Sequence, residues 1–64
     1  MLAHELYILL GQNPKTKCFK VYKEGCFCNT RYSIGQVIEF IIDYNFKLYT
    51  AYMVSENTMI IEVK

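Results

Sequence analysis

The sequence predicts an α+β fold: a small antiparallel β-sheet in the order strand, strand, strand, helix, strand, strand, with one α-helix packed on one face. Three observations lead there. Short apolar runs alternate with polar residues in several places. One stretch, Ile34 to Tyr44, repeats its apolar residues at helical spacing. Asn13-Pro14, Lys23-Glu24-Gly25 and Ser55-Glu56-Asn57 punctuate the remainder as turns. Sixty-four residues make a single compact domain, 1–64, with no room for a second core.

Glu5 to Leu10 is largely apolar and ends at Gly11. The Asn-Pro-Lys-Thr connection suits a hairpin, which favours residues 4–10 as a strand. Leu2, Leu6, Leu9 and Leu10 also fit a short helix capped by Gly11. Lys17 to Tyr22 alternates, and Lys23-Glu24-Gly25 reads as a three-residue hairpin loop closed by a left-handed glycine. That register pairs Tyr22 with Cys26, Lys20 with Cys28 and Cys18 with Thr30. It places Phe19, Val21 and Phe27 on one face, and all three cysteines on the other with Lys20, Tyr22 and Tyr32.

Ser33 and Gln36 form a capping-box pattern ahead of the helix 34–44, and Asn45 tolerates the left-handed turn that stops it. Ile34, Val37, Ile38 and Ile41 face the core, while Gln36, Glu39 and Asp43 make a polar stripe. Phe40 and Tyr44 on one flank and Ile42 on the other widen the apolar arc to roughly 200°. Lys47 to Val54 reads as a strand and Thr58 to Val63 as the closing one, with Met59, Ile61 and Val63 on one side and Ile60 on the other.

Hydrophobic residues are 53% and charged residues 20%, too apolar for disorder. No apolar run approaches the ~20 residues that cross a bilayer, and the N-terminus lacks a signal-peptide pattern. A cytoplasmic location and no membrane partner are therefore expected. Three cysteines argue against a disulfide framework. A chain below ~70–80 residues gains little net stability from its own core, so self-association is expected.

One helix covers one face of such a sheet, and the other face should read polar. It does not. The apolar excess points to a non-enzymatic protein-interaction module, an adaptor or inhibitor that docks on a larger protein as a homodimer. By analogy, viruses and mobile elements encode small blockers of this kind. Tyr7, Leu9, Tyr22, Tyr32, Phe40, Tyr44 and Ile60 are the candidate contact residues, because tyrosine combines an apolar body with a polar tip.

The net charge of +1 hides an asymmetry. Lys15, Lys17, Lys20, Lys23 and Arg31 face Glu24 alone within residues 15–31, leaving the remainder acidic. A basic hairpin with tyrosines could lie along a phosphate backbone, which makes nucleic acid the alternative partner. Lysines on an exposed hairpin also block edge pairing.

No residue pattern calls for catalysis, a metal or a cofactor. His4 is the sole histidine, near a chain end, and nothing in its spacing pairs it with Cys18, Cys26 or Cys28. Three thiols fall short of a four-ligand zinc site. Glu39 and Asp43 sit on a solvated helical stripe, and Gly11, Gly25 and Gly35 are isolated rather than a phosphate loop.

Overall fold

The leucines at positions 6, 9 and 10 settle the first element, and they do so as a helix. In a computed structural model describing all residues 1–64, Ala3–Gln12 form α1, so the strand expected over 4–10 is absent. Helical spacing wins because it lets Leu6 bury completely while Leu9 and Leu10 lean on the same core. Glu5 reaches back to the Leu2 N–H at 3.4 Å, and the Asn13 side chain donates to the Leu9 carbonyl at 2.9 Å. Both ends of α1 are thereby partly satisfied.

The remaining elements are β1 (Cys18–Lys23), β2 (Cys26–Arg31), α2 (Ile34–Asp43), β3 (Leu48–Met53) and β4 (Thr58–Val63). The chain is thus a small mixed α+β fold with four strands and two helices, in place of five strands and one. The sheet order is β2-β1-β4-β3. Two antiparallel hairpins sit side by side, and their inner strands β1 and β4 run parallel, so the sheet is mixed rather than antiparallel throughout. No helix is long and apolar enough to cross a membrane.

α2 follows its sequence closely. Ser33 Oγ accepts the Gln36 N–H at 3.2 Å, a cap that contributes about 1 kcal/mol. The Gln36 side chain accepts from the Tyr32 N–H at 3.1 Å, one residue earlier than a strict capping box. Asn45 takes φ 54°, the left-handed turn that ends the helix.

Both helices lie on one face of the sheet. Their inward residues Leu6, Val37 and Phe40 join Phe19 and Val21 of β1 and Met59, Ile61 and Val63 of β4 in a single core. Phe40 therefore packs inside rather than on a flank of the helix. The other face of the sheet carries no helix.

Each edge strand contains an irregularity that the alternation did not foretell. The β1–β2 turn is the two-residue Glu24-Gly25, with φ 51° and 84°, in place of a three-residue loop. Lys23 consequently pairs with Cys26 and Tyr22 with Phe27. A bulge at Cys28 then restores Val21 opposite Asn29 and Lys20 opposite Thr30. In β3 a similar shift at Tyr49 leaves Leu48 opposite Val63 but Thr50 opposite Glu62. The expected hairpin register is corrected on both counts: Phe27 does not share a face with Phe19 and Val21. The cysteines do not share one either. Cys18 pairs with Thr58, Cys26 with Lys23, and Cys28 is the bulged residue.

Candidate interaction surface

The helix-free face follows from the register. Thr30, Lys20, Ile60 and Tyr52 form one row across the four strands, and Phe27, Tyr22, Glu62 and Thr50 form the next. Beyond the first row Cys18 pairs with Thr58, whose carbonyl accepts the Val54 N–H at 3.1 Å. Phe27, Tyr22, Ile60, Tyr52 and Val54 thus make a continuous apolar band running obliquely over the sheet. Lys20 stands on one side of it and Glu62 on the other.

Packing within the band is specific. The Tyr22 and Phe27 rings meet edge-on with centroids 5.5 Å apart, a favoured aromatic geometry. Phe27 is 55% exposed, Tyr52 45% and Val54 58%, whereas Ile60 is only 7% exposed. Ile60 therefore sits low between taller neighbours. Tyr22, Tyr52, Val54, Ile60 and Glu62, with Gly25 at one end, line a shallow hollow of about 340 Å³ above it.

Tyr52 is held above the ordinary tyrosine value of 10.0, first by partial desolvation within this hollow and then by the Glu62 carboxylate, whose charge opposes a phenolate. The folded chain holds that proton more tightly than the unfolded chain. The associated stability is present below pH ~10 and is lost as pH rises through the raised value. In an ultraviolet titration Tyr52 should ionise above the ordinary tyrosine value. Tyr52→Phe should remove that component and Glu62→Gln should move it back towards the ordinary value. A titration left unchanged by either substitution would refute the assignment.

Of the residues singled out from sequence, Tyr22 and Ile60 lie on this face. Tyr7 and Leu9 lie on α1, with Tyr7 exposed and Leu9 packed against the core. Tyr32 is exposed just past β2, and Tyr44 is exposed at the end of α2, stacked against Phe46 with ring centroids 5.6 Å apart. Phe40 is buried and covered by the Arg31 guanidinium, 5.2 Å from its ring centre. Phe27, Tyr52 and Val54 were not singled out. The expected hairpin register puts Phe27 on the core face, and the two-residue turn with the bulge at Cys28 undoes that; the bulge at Tyr49 likewise sets Tyr52 on the face opposite Leu48.

The basic residues do not gather into one stripe. Lys20 stands on the helix-free face, while Lys23 and Arg31 turn to the helix side, where Lys23 lies 5.7 Å from the Phe46 ring centre. Lys15 pairs with Glu56 across 3.8 Å at the loop end of the sheet. Arg31, Gln36, Glu39 and Asp43 border a second shallow cleft, of about 320 Å³, beside α2.

No family model, curated protein or solved structure matches the chain. The functional reading therefore comes from the surface itself. Two phenols, one ammonium and one carboxylate around an apolar band can supply shape, burial and polar pairing at a contact, the ingredients of macromolecular recognition.

Proposed function

We propose that the chain is a non-enzymatic protein-interaction module, an adaptor or inhibitor that docks through the helix-free face of its sheet. The observation behind this reading is the unbroken band Phe27–Tyr22–Ile60–Tyr52–Val54 on a face that half-exposed strands normally keep polar. Aromatic side chains of this kind dominate contact energies because they bury large rigid areas at small entropic cost. A nucleic-acid role has no comparable support, since Lys20 stands on the helix-free face while Lys23 and Arg31 lie over aromatic rings on the helix side and Lys15 is paired with Glu56.

Site-specific photo-crosslinking tests the proposal in cells that express the chain. A benzophenone side chain in place of Tyr52 or Phe27 should give protein adducts, and the same group in place of Glu39 on α2 should not. Adducts of equal yield from Glu39, or none from either face position, would refute it. A labelled oligonucleotide should not bind. Salt-sensitive binding abolished by Lys17→Glu, Lys20→Glu and Lys23→Glu together would promote the nucleic-acid reading instead.

A further inference from the structure

We infer that the occupant of the helix-free face is a second copy of the same chain, packed sheet against sheet about a two-fold axis. This inference rests on the interaction-module reading and names its partner. The carrying observation is the placement of charge about the apolar band.

Tyr22, Ile60 and Val54 fall on one diagonal of the face, each one strand and one row from the last. Lys20 and Glu62 occupy the two remaining corners of the cell that has Tyr22 and Ile60 at its other corners. Strands lie ~4.8 Å apart and rows of side chains ~6.7 Å apart. A two-fold axis along the diagonal therefore carries Lys20 of one copy to within about 3 Å of the position above Glu62 of the other. The same operation carries Glu62 onto Lys20, so a single isologous contact makes two equivalent ion pairs.

Neither side chain has an ion-pair partner at home, where the one salt bridge joins Lys15 to Glu56, and Glu62 has only the Tyr52 hydroxyl beside it. The three residues on the axis meet their own copies. Tyr52 of each copy falls over the low stretch around Ile60 and Thr58 of the other. Strands of the two sheets then cross at roughly 70°, near the orthogonal class of sheet packing.

The size of the face bounds the strength of the pair. Four strands and three rows span roughly 15–20 Å each way. A standard stable interface takes about 800 Å² from each partner, about a fifth of this chain's 4171 Å² surface. The face, about 225–400 Å² in projection, falls below that class, so a weak dimer dissociating in the micromolar range is expected.

Charge reversal tests the geometry. In sedimentation equilibrium on the purified chain, the wild type should associate as a monomer–dimer system. Lys20→Glu alone and Glu62→Lys alone should each weaken association at least tenfold, because each places two like pairs across the axis. An equimolar mixture of these two variants should recover dimer as a mixed pair, and the double reversal in one chain should lie within about threefold of wild type. Circular dichroism establishes that each variant is folded. If a reversal unfolds the chain, Lys20→Gln and Glu62→Gln replace it, with a loss of several-fold expected.

A wild-type chain that stays monomeric through the high micromolar range would overturn the inference, as would variants that fail to complement on mixing. Crosslinks from Tyr52 to a different protein, with a monomeric wild type, would overturn the inference and leave the interaction-module reading standing. Absence of both would end both.

Discussion

Ile61→Ala is expected to remove between about a fifth and all of the stability of the chain. Ile61 is fully buried in the central strand β4, between Val21 on one side and Ala51 on the other, and belongs to a core of eight side chains. Truncating a buried isoleucine to alanine costs about 2–5 kcal/mol, part lost transfer energy and part cavity. Domains of this length have roughly 3–10 kcal/mol in total. Few core residues means few neighbours able to collapse into the gap. Urea denaturation followed by circular dichroism reads the effect as a fall in the transition midpoint. Ile42→Ala, on an exposed isoleucine of α2, should change the stability by no more than about 0.5 kcal/mol in the same assay. A loss below about 1 kcal/mol at Ile61 would contradict the assignment of the core.

Tyr52→Ala and Phe27→Ala should do the opposite, leaving the fold in place and removing its association. Each side chain is about half exposed in the single chain, so truncation forfeits little folding energy. At a contact the same ring becomes fully desolvated, and aromatic anchors of that kind cost at least about 2 kcal/mol when cut to alanine. That corresponds to a dissociation constant raised roughly 30-fold or more. Sedimentation equilibrium measures the self-association and crosslink yield at the neighbouring positions measures contact with any other protein. Thermal melting serves as the control and should shift by only a few degrees. Normal association in both variants would show that the apolar band is not the contact surface.

Several elements were legible in the sequence for reasons that are local. The Ser33 cap, the apolar spacing of Ile34 to Ile41 and the left-handed Asn45 define α2 without reference to the rest of the chain. The alternation of Met59, Ile61 and Val63 likewise assigns β4 and puts Ile60 on the opposite face. α1 was ambiguous because a short leucine-rich run satisfies both periods, and only the presence of a core to receive Leu6 decides between them. The bulges at Cys28 and Tyr49 were illegible. Nothing in Cys-Phe-Cys or Leu-Tyr-Thr marks an extra residue, and each bulge reverses the facing of everything on one side of it. That is why Phe27 and Tyr52, the most informative aromatic residues of the surface, emerged only from the register. The charge asymmetry of residues 15–31 was real in sequence yet dispersed in space, because alternate residues of one strand serve opposite faces.

The parallel pairing of β1 with β4 has a consequence for how the polypeptide reaches its native state. The first and last strands in chain order lie adjacent at the middle of the sheet, and Met59, Ile61 and Val63 supply three of the eight core side chains. A nascent polypeptide lacking residues 58–63 would have β1 open along one side and β3 without any neighbour. No N-terminal fragment can therefore condense ahead of the whole, and folding waits on a loop closure between distant segments, which slows it relative to helical chains of equal length.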